Sequence, residues 1–236
     1  TRTLSGGETQ RINLATALGG ALTETLYVLD EPTVGLHPRD TDRLIQVLRR
    51  LVNLQNTVVV VEHDLDVIRA ADHLVDLGPA AGERGGQVVY EGAPGEIGRA
   101  AAAADGSQTA RFLKPFFDGG QSAAPASANG ENEKKRRKTP GIAPAPARRQ
   151  PAGWITILGA CENNLRHLTV EIPLGTLTCV TGVSGSGKTT LVSRCLFDNY
   201  RRMKGDPEAE PGKILRLEGL EAIGDNLYLE TPASGA

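Results

Sequence analysis

The segment TCVTGVSGSGKTTL, near the far end of the chain, constrains the fold more than any other feature. It contains the pattern GxxxxGK[ST] from Gly182 to Thr189, between an apolar run and a segment of helical character. A glycine-rich loop at such a junction directs backbone N–H groups at a phosphate. We therefore expect an α/β fold of the P-loop NTPase class.

Each residue type in this phosphate loop has a chemical task. The Lys188 side chain reaches β- and γ-phosphate oxygens, and the Thr189 hydroxyl can ligate Mg²⁺. The other positions expected to bind the nucleotide are Gly182, Ser184, Gly185, Ser186 and Gly187. A glycine-rich turn that binds nothing is the alternative, but the flanking strand and helix favour the nucleotide site.

A second group of candidate residues lies near the start of the chain, although such groups normally follow a phosphate loop. Asp30 and Glu31 end the apolar run LYVLD, where ligands of open α/β sheets gather. Asp30 is suited to hold Mg²⁺, and Glu31 to polarise an attacking water. His63 follows a second apolar run, TVVVVE, from which its imidazole could contact the same phosphate.

The segment LSGGETQ, from Leu4 to Gln10, precedes both runs. Small residues at a helix start can direct amides and a hydroxyl at a γ-phosphate. The residues predicted to do so are Ser5, Gly6, Gly7 and Gln10.

The chain divides into two blocks with helix and strand patterns. Residues 1–117 alternate helices and strands, as in the second half of an α/β domain, and residues 154–236 resemble a first half. Residues 118–153 are rich in Ala, Pro, Gly and charge and predict a disordered linker. Its basic run, Lys134–Lys138, is either a solvated part of this linker or a contact to a DNA backbone.

Composition limits the possible classes of protein. The net charge of −2 gives no overall attraction to nucleic acid, and no apolar run has the length of a membrane span. The first residue is Thr1, which suggests an internal piece of a cytoplasmic protein. The three cysteines form no CxxC pair, so reduced thiols are favoured over a zinc site.

The segment Leu4–Gln10, the acidic pair Asp30 and Glu31, and His63 follow one another in an order that resembles the ATP-binding cassette superfamily. In that superfamily the first of these segments is called the signature. Within it, LSGGETQRINLA, LYVLDEPTVGLHPRD and VVVVEHDLDVIRAADHLVDLGPAAGERGGQVVYEG resemble the end of the first nucleotide-binding domain of the UvrA family. ILGACENNLRHLTVEIPLGTLTCVTGVSGSGKTTLV resembles the start of that family's second domain. The resemblance implies two incomplete nucleotide-binding domains joined by a flexible linker. The end of the first domain then precedes the start of the second, so the acidic pair comes before the phosphate loop in this chain.

The resemblance also implies a function and partners. The parent would be an ATPase that recognises damaged DNA in bacterial nucleotide excision repair, acts as a homodimer and works with a UvrB-type helicase. ATP and Mg²⁺ would be its cofactors, with zinc expected only in parts of the parent outside this chain. No glutamine follows Gln150, so the Mg²⁺-sensing glutamine of the family has no match here.

Cassettes work head to tail, so a phosphate loop is completed by the signature of the other domain. On this basis the acidic pair serves a phosphate loop upstream of the chain, and Gly182–Thr189 is served by an acidic pair downstream of it. Neither ATP site is then whole, and the isolated chain is expected to be inactive. A UvrA-like paralogue used in drug resistance and an ABC transporter ATPase remain alternative functions.

Overall fold

The computed structural model describes residues 23–97, 107–117, 150–224 and 227–230. Within these ranges the central element is a six-stranded sheet. Its strands are β1 (Leu26–Asp30), β2 (Thr57–Val61), β3 (His73–Gly78), β4 (Gln87–Gly92), β7 (Leu177–Gly182) and β9 (Leu227–Glu230). They lie in the order β4-β3-β7-β2-β1-β9. All neighbours run parallel except β3 and β4, which pair antiparallel.

The runs LYVLD and TVVVV are buried at every position, which is why they lack the alternation of a half-exposed strand. Successive β1 side chains enter two different hydrophobic cores, with Leu26 and Val28 on one face and Tyr27 and Leu29 on the other. The α/β fold with a mainly parallel sheet is therefore confirmed.

Three helices cover the Tyr27 face, and they are α1 (Pro38–Asn53), α2 (Leu65–Ala70) and α3 (Gln108–Phe117). Helix α1 buries Leu44, Leu48 and Leu51, whose spacing of three and four residues places them on one helical face. It begins at Pro38, where Nδ1 of His37 accepts from the Arg39 N–H at 3.3 Å as an N-cap.

The opposite face packs against a three-stranded antiparallel sheet in the order β6-β5-β8 and against the helix after the phosphate loop. The strands are β5 (Trp154–Ala160), β6 (Leu168–Pro173) and β8 (Arg216–Glu218). The helix is π-helical over Thr190–Asp198 and continues as α4 (Asn199–Met203). Its buried side chains in this core are Leu191, Val192, Cys195, Leu196 and Tyr200.

The two blocks are interleaved in the sheet. Strand β7 of the second block lies between β2 and β3 of the first, with Val60 opposite Cys179 and Leu74 also opposite Cys179. Strand β9 pairs with β1 at the other edge of the first block. The linker predicted at 118–153 lies almost wholly outside the described residues, which resume at Gln150.

Candidate functional site

The phosphate loop, Gly182–Thr189, leaves the carboxyl end of β7 and enters the following helix. Gly182 has φ of 134°, and a Cβ there would lie 2.0 Å from the carbonyl oxygen of Leu77 on β3. No larger residue fits this position, because the loop must start directly beside the neighbouring strand. The glycine that opens the motif is therefore required by the packing of β7 against β3.

Lys188 lies within the mouth of the loop. Its Nζ donates to the carbonyl oxygens of Gly182 at 3.1 Å and Val183 at 3.2 Å, and the residue is only 8% exposed. Oγ of Ser186 is buried nearby without a hydrogen-bond partner among the described residues. A buried ammonium and an unpaired hydroxyl in one concave loop are suited to bind an anion.

Asp30, at the end of β1, lies beside the start of the helix that follows the loop. Burial raises the pKa of the Asp30 carboxyl, and a hydrogen bond from the Thr189 hydroxyl opposes this shift. The neighbouring carboxylates of Glu31 and Glu62 raise the pKa further, whereas the Lys188 ammonium lowers it. Oδ1 of Asp30 is buried and has no hydrogen-bond partner in the described part of the chain.

Glu31 and His63 face each other at the ends of adjacent strands. Nδ1 of His63 lies 4.0 Å from Oε1 of Glu31; the His63 side chain is exposed and that of Glu31 is partly exposed. Glu31 has φ of 48°, a left-handed conformation that is uncommon for a residue with a side chain. Its N–H donates to the Val61 carbonyl at 2.9 Å, so this turn begins while the residue is still tied to β2.

Glu62 belongs to no motif of the sequence, although it is the first charged residue after the apolar run TVVVV. Its side chain is fully buried, and Oε1 accepts from the Thr33 N–H at 2.8 Å. Oε2 accepts from the N–H groups of His63 at 3.1 Å and Asp64 at 3.3 Å. The carboxylate therefore ties the segment after Glu31 to the segment that carries His63.

The structure differs from the expectation that the acidic pair and the phosphate loop belong to separate sites. Because β7 lies next to β2, Asp30 and Thr189 are close enough to share a hydrogen bond. Strand β7 of the second block lies between β2 and β3 of the first block, which places the phosphate loop at the same sheet edge as Asp30. The chain thereby brings its own phosphate loop and its own acidic strand end together.

The predicted signature residues Ser5, Gly6, Gly7 and Gln10 lie outside the described residues. The assembled part fits a nucleotide with Mg²⁺: Asp30 offers an unpaired carboxylate oxygen, Thr189 a hydroxyl and Lys188 a cation. Mg²⁺ commonly uses one or two carboxylates together with substrate phosphates. In the ranges described, no group of three or more His, Cys, Asp or Glu residues could hold a metal ion by itself.

The three cysteines of the chain form no disulfide. Cys161, Cys179 and Cys195 are free thiols, and burial raises the pKa of Cys195 to about 12.

Among the helices described, none combines the length and apolar character needed to cross a lipid bilayer.

Residues 3–69 match the family described as "AAA domain, putative AbiEii toxin, Type IV TA system". The chain is 45% identical over 94% of its length to the UvrABC system protein A of Methanothermobacter thermautotrophicus and covers 20% of that protein. It is 44% identical to the protein of that name from Aquifex aeolicus over 94% of its length, with 21% of that protein covered.

The relative from Streptomyces avermitilis, also a UvrABC system protein A, is 42% identical over 99% of this chain and is covered to 21%. A solved structure, "Crystal structure of UvrA2 from Deinococcus radiodurans", is 43% identical, with a TM-score of 0.45. That match covers 93% of this chain and 23% of the UvrA2 chain.

The chain thus spans about a fifth of the length of the curated relatives that it matches. Its sheet and phosphate loop have the α/β fold of P-loop ATPases of the ATP-binding cassette type. Since identity above 40% extends over nearly the whole chain, the chain belongs to the UvrA family, of which it represents one segment.

Proposed function

We propose that the chain is the nucleotide-binding part of an ATP-driven subunit that recognises damaged DNA in nucleotide excision repair. The observation that carries this proposal is the meeting of Lys188, Thr189 and Asp30 in a chain 45% identical to a UvrABC system protein A. The ammonium, hydroxyl and carboxylate at one sheet edge are the groups that a Mg²⁺-bound triphosphate requires.

In this proposal the loop binds the phosphates and Lys188 neutralises part of their charge. Its ammonium would exchange the carbonyls of Gly182 and Val183 for β- and γ-phosphate oxygens. Asp30 and the Thr189 hydroxyl would hold Mg²⁺, which when bound balances charge on the β- and γ-phosphates. The remaining loop residues, which supply backbone amides or a hydroxyl, are Gly182, Ser184, Gly185, Ser186 and Gly187.

Glu31 and His63 are the proposed catalytic residues. The Glu31 carboxylate, partly exposed at the site mouth, would orient a water and accept its proton. His63, 4.0 Å from Glu31, would donate to the γ-phosphate. Glu62 supports both residues, because its carboxylate binds the backbone of Thr33 on one side and of His63 on the other.

Turnover would require one further component. Ser5, Gly6, Gly7 and Gln10 form the signature segment that, in a head-to-tail pair, completes the phosphate loop of the other cassette. The isolated chain is therefore expected to bind Mg²⁺-ATP but to hydrolyse it slowly at most. The full-length protein, acting as a homodimer, would be the competent ATPase.

The parent's partners are part of the same proposal. They are a damaged DNA duplex and a UvrB-type helicase, and the site of action is the cytoplasm. Within this chain, the basic run Lys134–Lys138 is the segment suited to contact a DNA backbone.

Equilibrium binding of ATP to the chain, with Lys188→Ala and Lys213→Ala as a matched pair, tests the nucleotide site. Lys188 is buried in the loop, whereas Lys213 is exposed. We expect Lys188→Ala to weaken binding by at least about tenfold, the loss expected for a charge-assisted hydrogen bond. Equal affinities of the two variants would contradict the site.

The DNA part of the proposal is tested with the full-length protein. Its ATP hydrolysis rate should respond to duplexes that carry a bulky lesion more than to intact duplexes. An ATPase rate indifferent to both duplexes would contradict damage recognition while leaving the nucleotide site in place.

A further inference from the structure

The outer side of the phosphate loop is held by a set of contacts that the proposed mechanism does not use. They come from the turn Gly82–Gly86, after β3, and from Asn164, between β5 and β6. We call Gly82–Gly86 together with Asn164 the outer clamp. It joins the first block to the second at the point where the nucleotide would bind.

The outer clamp fixes two consecutive carbonyl groups of the loop. The Gly82 N–H donates to the Gly185 carbonyl at 3.0 Å, and the Gly86 N–H donates to the Ser186 carbonyl at 3.1 Å. In a trans peptide the N–H points opposite to the C=O of the same unit. With both carbonyls turned outwards, the N–H groups of Ser186 and Gly187 are directed to the inner side of the loop, where the Ser186 N–H donates to the Val183 carbonyl at 3.1 Å.

Asn164 contributes the side-chain contacts of the outer clamp. Its Nδ2 donates to the Gly185 carbonyl at 3.0 Å and to the Gly82 carbonyl at 3.2 Å. A single amide group thus bridges the carbonyl oxygens of Gly82 and Gly185. Removing it leaves the Gly185 peptide unit held by one donor fewer.

The turn itself is built for this close approach. Gly86 has φ of 70°, and a Cβ there would lie 1.9 Å from the Asn164 carbonyl oxygen. The Arg166 N–H donates to the Gly86 carbonyl at 2.9 Å, and its guanidinium donates to the Glu83 carbonyl. The clamp is therefore tied on both sides, so its donors keep a fixed position relative to the loop.

We propose that Asn164 is a positioning residue for phosphate binding: by holding the Gly185 carbonyl outwards it keeps the Ser186 N–H directed inwards, ready to exchange the Val183 carbonyl for a β-phosphate oxygen. This inference rests on the proposed nucleotide site. Preorganised donors bind an anion more tightly because no reorientation is needed on binding. The effect should appear only with ligands that carry a β-phosphate.

The test compares ADP and AMP binding to the 236-residue chain carrying Asn164→Ala or Asn163→Ala. Asn163 is the matched control, since its amide donates to the Thr190 hydroxyl at 3.2 Å and not to a loop carbonyl. We expect Asn164→Ala to weaken ADP binding about tenfold, the loss of one hydrogen bond. The affinity for AMP should change less than about twofold.

A second pair of variants removes the amide N–H donors while keeping the shape of the asparagine side chain. Asn164→Asp replaces the amide by a carboxylate facing two carbonyls, and Asn163→Asp adds the same charge one residue away. A loss of ADP affinity at least about fivefold larger for Asn164→Asp supports the positioning role, and it decides the question if Asn164→Ala does not fold. If the Asn164 and Asn163 variants bind ADP equally well, in both the alanine and the aspartate pair, the positioning role is overturned.

The result separates this inference from the nucleotide site itself. A wild-type chain that fails to bind ADP would contradict the proposed site. A wild-type chain that binds ADP, with Asn164 variants that bind ADP equally well, would contradict only the role of Asn164. A parallel loss of ADP and AMP affinity would also overturn that role, because it would indicate general disruption of the fold.

Discussion

Asp30 illustrates how a functional residue lowers the stability of the fold that carries it. Burial raises the pKa of its carboxyl above the ordinary value of 3.8, and the neighbouring Glu31 and Glu62 add to the shift. The ionised form is thus disfavoured in the folded chain relative to the unfolded chain. The Thr189 hydroxyl and the Lys188 ammonium offset only part of this cost.

We expect Asp30→Asn to raise the melting temperature at neutral pH by about 2–4 °C, the shift that ~1 kcal/mol produces in a chain of this length. A raised folded-state pKa means that stability is fully present below pH 3.8 and is lost as the pH rises through the folded value. The gain should therefore shrink as the pH falls towards 3.8. Calorimetry across this range measures it.

Asp42→Asn is the matched control, because Asp42 is exposed on α1. Its melting temperature should stay within about 1 °C of wild type at each pH, as for other surface substitutions. A melting temperature of Asp30→Asn below that of wild type at neutral pH would contradict this view of Asp30.

At the scale of elements, α3 is attached to the sheet by polar contacts as well as by packing. Oγ of Ser107 caps the helix by accepting from the Ala110 N–H at 2.8 Å, and it donates to Asp76 Oδ2 at 2.5 Å. Thr109 Oγ1 donates to Asp76 Oδ1 at 2.8 Å. Burial raises the pKa of the Asp76 carboxyl, and these two hydroxyls oppose the shift.

We expect Ser107→Ala to lower the free energy of unfolding by about 2 kcal/mol, because it removes a helix cap and one donor to a buried carboxylate. Urea denaturation of this variant and of Gln108→Ala measures the difference. Gln108 is exposed in the same helix, so its variant should unfold close to wild type. Equal midpoints for the two variants would show that Ser107 does not anchor α3.

The elements were predictable from local pattern, and their neighbours were not. LYVLD, TVVVV and LTCVTG are short apolar runs, so each predicts a buried strand. No local pattern states that β7 pairs with β2 and β3, because backbone hydrogen bonds between parallel strands are independent of side-chain identity. The pairing across blocks therefore had to come from the structure.

The candidate site, like the strand order, could be predicted only in part from the sequence. The phosphate loop, Asp30, Glu31 and His63 were predicted because their residue types match a known chemical task. Glu62 and Asn164 act through backbone groups of other segments, at Thr33 and Gly185. Since such contacts depend on the fold rather than on a motif, the sequence gives no signal that separates these two residues from others of their type.

At the scale of the whole molecule, the two blocks share one sheet and both of its hydrophobic cores. Val59 and Val61 of the first block lie in the same core as Ile155 and Ile172 of the second. Strand β7 has neighbours from the first block on both sides. Neither block can lose its strands without exposing the core of the other.

We therefore expect the described blocks to unfold in a single cooperative transition. The chain has one tryptophan, Trp154 on β5, so its fluorescence reports the second block. Circular dichroism at 222 nm averages over the helices of both blocks. Coincident urea midpoints from the two signals would agree with one folding unit, and separated midpoints would indicate independent blocks.

The most direct test of the central claim, that one site combines the phosphate loop of the second block with Asp30 of the first, is calorimetric titration of the chain with ATP in the presence and absence of Mg²⁺. For wild type and Asp42→Asn we expect Mg²⁺ to strengthen ATP binding at least about tenfold, on the order of one charge-assisted contact. For Asp30→Asn this dependence should be largely lost. An undiminished Mg²⁺ dependence in Asp30→Asn would contradict the claim, because the loop would then bind its metal without the acidic strand end of the first block.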